Sequence, residues 1–173
     1  MRLRRLGIGI GLLVVGAAWY AFRPERLFLD HSVSEPLDAA TVDDHQAELV
    51  GRGLAPPPVF AALRTGRFRS GAHETEGVAT VHDLGGGRRI LRLTSFRTSN
   101  GPDVHVYLVA APVVTDDESV KRAEIADLGA LKGNLGDQNY ELPERVDLSR
   151  YQSVSIWCKR FGVNFGSAAL KKS

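Results

Sequence analysis

Apolar residues are distributed along this chain in two different ways. Leu6 to Phe22 is a run of 17 uncharged, mostly apolar residues, with Arg2, Arg4 and Arg5 before it and Arg23 and Arg26 after it. From about residue 65 onward the apolar positions come in short runs that alternate with polar ones, broken by glycine and proline. Alternation with period two puts every second side chain on one face of a strand, so this second region reads as β-structure. Gly77 to His82 is the first candidate strand, and Gly85-Gly86-Gly87 supplies the positive φ angles of a tight turn. Ile90 to Phe96 alternates, with Ile90 and Phe96 out of phase with Leu91 and Leu93. Asn100-Gly101-Pro102 is a turn. Asp103 to Ala111 follows, with Val104, Val106 and Leu108 on one face and His105, Tyr107 and Val109 on the other. Two largely apolar faces predict an inner strand of a sandwich. Glu118 to Ala123 predicts a helical turn, and 126–134 and 136–143 predict two short strands about a turn.

Ser153 to Cys158 is another strand, with Val154, Ile156 and Cys158 on one face. Phe161, Val163 and Phe165 form the next alternating set with the opposite parity, which predicts a bulge or bend at Lys159-Arg160. Short strands with Gly/Pro turns between them specify an all-β fold, an antiparallel β-sandwich or barrel. Three regions follow: an N-terminal segment at 1–26, a Pro-containing stalk at 27–63, and a β-domain at 64–173.

At about 1.5 Å per residue, the 6–22 run makes a helix of about 25 Å, slightly short of the roughly 30 Å hydrocarbon core, and arginines can snorkel to close the gap. Trp19, Tyr20 and Phe22 form an interfacial belt. This segment is read as an uncleaved signal-anchor that contacts membrane lipid through residues 6–22. The leading arginines orient a single-pass protein with its N-terminus in the cytoplasm and its domain outside. The alternative is a signal peptide cleaved after Gly16-Ala17-Ala18, which would leave a secreted domain. Gly7-x-x-x-Gly11 is a weak signal for helix pairing.

The overall charge of +2 hides a gradient. Residues 1–26 carry +4, residues 27–62 carry −5, and residues 63–173 carry +3. No dense Lys/Arg stripe is left for phosphate neutralisation, so no nucleic-acid partner is expected. The 27–63 segment contains Pro36 and Pro56-Pro57-Pro58, the composition of a semi-rigid spacer, and 38–50 has room for a short helix.

The only cysteine is Cys158, and Lys159 and Arg160 follow it. A lone thiol forms no internal disulfide. Its functional reading is a thiolate stabilised by the two cations. Its bland reading is a small buried hydrophobe sharing the phase of Val154 and Ile156. An intermolecular disulfide is the third reading, and the inward phase argues against it. No pair of Cys or His has zinc spacing, and Gly136-Asp137-Gln138-Asn139 lacks a calcium-loop pattern, so no metal is expected. No nucleophile elbow and no phosphate-cradling glycine loop is present.

These segments resemble, in order and content, the DM13 family, described as an electron-transfer domain. The matching pieces include Gly66-Arg67-Phe68, His73, 92–96, Thr98 to Leu108, 131–134, 136–143, 146–148 and Val154 to Gly166, continuing through Ala168 to Leu170. The resemblance implies an extracytoplasmic antiparallel β-sandwich of DM13/DOMON-like type. It also implies a redox role for the family's cysteine, here Cys158, acting as a bare thiol or through a bound group such as haem. Covalent haem attachment through Cys-x-x-Cys-His is excluded, and Met1 is the only methionine, so Met/His ligation is excluded too. Thiolate ligation by Cys158, or ligation by His73, His82 or His105, stays open. His105 is the best placed of the histidines, His73 is the second cofactor candidate, and Trp157 is the aromatic one.

Two functional expectations result. One is a redox or electron-transfer role centred on Cys158, with a membrane redox partner that supplies the cofactor. The other is a non-catalytic surface-displayed binding or structural module in which Cys158 is core.

Overall fold

The computed structural model describes residues 29–37, 48, 51–54 and 60–173. The apolar 6–22 run and almost all of the helix expected at 38–50 lie outside these residues. Among the described residues no helix is long and apolar enough to cross a membrane.

Among the described residues, eleven strands form two facing sheets, with one short helix beside them. The strands are β1 (Ser32–Ser34), β2 (Ala61–Arg67), β3 (Arg69–Ser70), β4 (Glu76–Gly85), β5 (Arg88–Arg97), β6 (Val104–Val109), β7 (Ile125–Ala130), β8 (Leu135–Leu142), β9 (Ser153–Cys158), β10 (Val163–Ala169) and β11 (Lys171–Lys172). The helix α1 (Asp117–Arg122) lies between β6 and β7. One sheet has the order β1-β8-β5-β4-β2-β11 and the other β3-β10-β9-β6-β7. Leu91, Leu93 and Tyr140 of the first sheet meet Val106, Leu108, Val154, Ile156 and Phe165 of the second in one continuous core. The architecture is therefore an all-β sandwich. It is antiparallel throughout except for β1, which pairs with β8 in parallel.

The turn at 85–87 forms as its glycines predict, with φ of 82°, 60° and 81°. The phase anomaly in β5 has a local cause. The β5–β8 register shifts between Leu93 and Phe96, and Ser95 adopts φ 49° while its N–H donates to Asp137 Oδ1 at 2.8 Å. This bulge returns Phe96 to the core side, where it meets Phe68 edge-on at 5.3 Å.

The bend expected at Lys159-Arg160 is a tight hairpin turn over 159–162, closed by the Gly162 N–H donating to the Cys158 carbonyl at 2.8 Å. The parity changes because the chain reverses. The actual register irregularity lies further on, between Asn164 and Gly166. Phe161 therefore belongs to no inward set: it sits in the turn, 68% exposed, while Phe165 is buried.

Residues 29–37, placed by sequence in the spacer, lie against the sandwich. Strand β1 forms an edge of the larger sheet, and the Glu35 N–H donates to the Asp137 carbonyl at 2.9 Å. The close approach is made possible by two glycines. A Cβ on Gly136 would stand 2.0 Å from the Val33 carbonyl oxygen, and one on Gly133 2.4 Å from that of His31.

Candidate functional site

Cys158 is the last residue of β9, with Val104 and Val163 as its cross-strand partners. Alternation along β9 turns it inward with Val154 and Ile156, and it is 0% exposed. The thiol is free and buried. The cations that follow it in sequence do not share its face. Lys159 Nζ reaches Asp127 Oδ2 at 3.4 Å, on the outer side of the sheet, and Arg160 is exposed in the turn.

The other face of the same strands carries the polar chemistry. His105 on β6 sits opposite Trp157 on β9. Its Nδ1 lies 2.9 Å from Asp127 Oδ1 and its Nε2 3.2 Å from Asp103 Oδ1. Both ring nitrogens thus face carboxylates, and only the imidazolium carries N–H groups at both. Burial raises the Asp127 carboxyl, but the hydrogen bonds from His105 and the Gly129 N–H, with the charge on His105 and the Lys159 contact, outweigh it and hold Asp127 below the usual aspartate range. Tyr107 stands edge-on to His105 at 6.3 Å and stacks with Trp157 at 6.4 Å. Burial, then the negative charges of Asp127 and Asp103, push the Tyr107 phenol up. Trp157 and Tyr107 pack with Val114 and Val120, so α1 closes over them and Trp157 presents no open ring face for a cofactor.

His73 lies in the connection between β3 and β4, its ring 3.9 Å from that of Phe165, which belongs to the core. His82 lies on β4 with its Nδ1 buried and without a hydrogen-bond partner, and burial lowers its pKa. Cys158, His105, Trp157, His73 and His82 therefore do not converge. Cys158 faces the core, His105 and Trp157 share the opposite face of the same sheet, and His82 stands on the other sheet.

Haem ligation through Cys158 or His105 does not fit their arrangement. Thiolate ligation needs a plate-sized opening at a residue that has no exposure. Ligation by His105 would require breaking one of its two carboxylate contacts.

Sequence reasoning did not single out Asp103, Asp127 or Glu35 as site residues. Asp103 could have been found two positions before His105 on the same candidate strand. Asp127 is 22 residues from its partner, and only the β6–β7 register brings the two together.

The connection 99–103 joins several of these features. The Asp103 carbonyl accepts from the Lys159 N–H at 2.8 Å, and Asn100 Nδ2 donates to the Leu29 carbonyl at 2.9 Å. A cleft of about 730 Å³ opens at the same end, between Leu29, Asn100, Val104 and Lys132. The cysteine end of the sandwich is thus also the end where the N-terminal segment enters.

Comparison with curated proteins and with solved structures finds no match. Among protein families, the one described as "Electron transfer DM13" matches residues 67–170, which covers the sandwich from the end of β2 to Leu170. The chain belongs to the DM13 family.

Proposed function

We propose that this protein is a membrane-tethered, outward-facing electron-transfer domain whose redox group is the Cys158 thiol, working against a membrane redox partner. The observation that carries this reading is the position of the chain's only thiol, at the final residue of β9 and one residue before the exposed 159–162 turn. Opening that short turn suffices to uncover the sulfur, and the rest of the sandwich can stay folded.

The chemistry is that of a bare thiol. Cys158 loses its proton to solvent and its sulfur bonds to one sulfur of a disulfide on the partner. The partner's second sulfur leaves as a thiolate. The Cys158 sulfur gives up a single reducing equivalent as it enters the mixed disulfide and the leaving partner sulfur takes it up, so the number of disulfide bonds is unchanged, and renewed attack by that thiolate reverses the step. His105, Asp103 and Asp127 stand beside the turn and organise a charged surface there. They act on docking, and the sulfur on the opposite face lies outside their contact.

The test is made on the full chain exported by living cells. Membranes are quenched in acid, free thiols are blocked, and Cys158 is followed by mass spectrometry. The reading predicts a mixed disulfide between Cys158 and a membrane protein that is absent from a Cys158→Ala variant. Recovery of Cys158 only as the free thiol, in oxidising and reducing media alike, would overturn it.

A second reading is favoured by one observation, the complete burial of Cys158 within the main core. On that reading the domain is a non-catalytic binding or structural module at the cell surface, and the thiol is a packing residue.

A further inference from the structure

From the path of residues 29–37 we infer that the domain is held close against the bilayer with its cysteine end toward the lipid surface. This rests on the proposal that residues 6–22 span the membrane. Residues 29–36 are fastened to the sandwich along their length. Asn100 holds the Leu29 carbonyl, Asn134 Oδ1 accepts from the His31 N–H at 2.7 Å, and β1 pairs with β8. Lys132 Nζ grips both Glu35 carboxylate oxygens at 2.7 and 2.9 Å, and Arg92 Nη1 donates to the Glu35 carbonyl at 2.8 Å.

Only residues 23–28 are left between the span and this clasp. Six residues reach at most about 20 Å however they are arranged. The acidic, proline-containing segment 38–59 cannot add to that reach. It leaves from the β1 edge and returns at Phe60 to β2, so both of its ends are fixed on the domain. With both ends of 38–59 held on the domain, the tether is short.

The short tether meets the domain at Leu29, beside the 99–103 connection that also holds Lys159. The residues presented there suit the interfacial zone of a bilayer. Leu29 and Phe161 are 64% and 68% exposed, and Arg160 lies next to Phe161. The carboxylates at this end are engaged. Asp30 accepts from Asn134, Asp127 lies against His105 and Lys159, and Asp103 against His105. Arginine beside exposed apolar side chains is the pattern of a headgroup contact. The lipid surface is therefore the occupant of this end, and the partner that meets Cys158 must approach in the plane of the membrane.

The test uses the full chain in vesicles of zwitterionic and anionic phospholipid, with Cys158→Ala removing the native thiol. A fluorophore is placed by Phe161→Cys at the cysteine end or by Ile125→Cys at the other end. Ile125 pairs with Val109, five residues along β6 from Val104, or about 17 Å away. Lipids carrying a headgroup quencher should quench the probe at 161 several-fold more than the probe at 125. Gly133→Val drives a side chain into the His31 carbonyl and should remove the difference while the sandwich stays folded. Glu35→Lys, which sets a cation against Lys132, serves if that variant does not fold. Equal quenching at both sites, or none at either, overturns the orientation. So does self-quenching at 161 that disappears on dilution into more lipid, because that would place a second copy at this end. Flotation separates the two levels of the account: a chain that fails to float with the vesicles removes the anchored reading itself.

Discussion

At the scale of single residues, Cys158 decides most. Its burial makes Cys158→Ser costly whatever the function, because a hydroxyl would enter an apolar site without a partner. The expected loss is about 1–3 kcal/mol in urea unfolding. Cys158→Ala removes the sulfur and leaves only a small cavity, about 1 kcal/mol or less. It is therefore the variant that separates redox function from stability. His105 gives a second prediction. The depressed Asp127 carboxyl depends on contacts from His105 against an opposing burial effect, so in His105→Asn the Asp127 pKa should move up toward or beyond its ordinary value, read by carboxyl NMR titration. The inward phase of Cys158 was legible from Val154 and Ile156. The engagement of Lys159 with Asp127 was not, because adjacency in sequence says nothing about which face of a sheet a side chain's end will reach.

At the scale of elements, alternation located β4 to β9 and the turn glycines located the β4–β5 hairpin, but alternation did not find β2, whose first residues fall in the 27–63 segment. It failed where the backbone leaves the pleat. Phe96 returns to the core through a bulge at Ser95, and Phe161 falls in a turn, so a parity count over 161–165 mixes a loop residue with a strand. Strand β1 is three residues long and flanked by polar ones, so it has no periodicity to detect. Its pairing with β8 joins residues about a hundred positions apart. Its grip on the domain carries a pH dependence. Burial raises the Glu35 carboxyl, but the hydrogen bond and charge of Lys132 and the Asn139 N–H overcome it and leave Glu35 below the ordinary glutamate range. A carboxyl lowered in the folded state stabilises fully above its unfolded value and loses that contribution as pH falls through the folded one. The protection of the Val33 and Glu35 amides, taken against the intrinsic exchange rate at each pH, should therefore fall on acidification below the ordinary glutamate value near 4.5, ahead of protection in β9. An equal fall in both strands would mean that the clasp does not open separately.

At the scale of the whole molecule, the sandwich and its family were legible because strand content and turn chemistry recur in order over most of the chain. The course of the N-terminal segment was not, since composition made 27–63 a uniform spacer while the structure fastens its first part to an edge strand. On the anchored reading proposed above, that difference shortens the tether and turns the thiol end toward the membrane. The account as a whole depends on Cys158 becoming reachable without unfolding of the sandwich. The most direct measurement is the alkylation rate of Cys158 in the folded full chain, compared with the rate of global unfolding across a denaturant series. The account predicts modification in the absence of denaturant, faster than global unfolding and only weakly dependent on denaturant, as expected for local opening of the 159–162 turn. Modification that tracks global unfolding at every denaturant concentration would contradict it and leave Cys158 as a residue of the core.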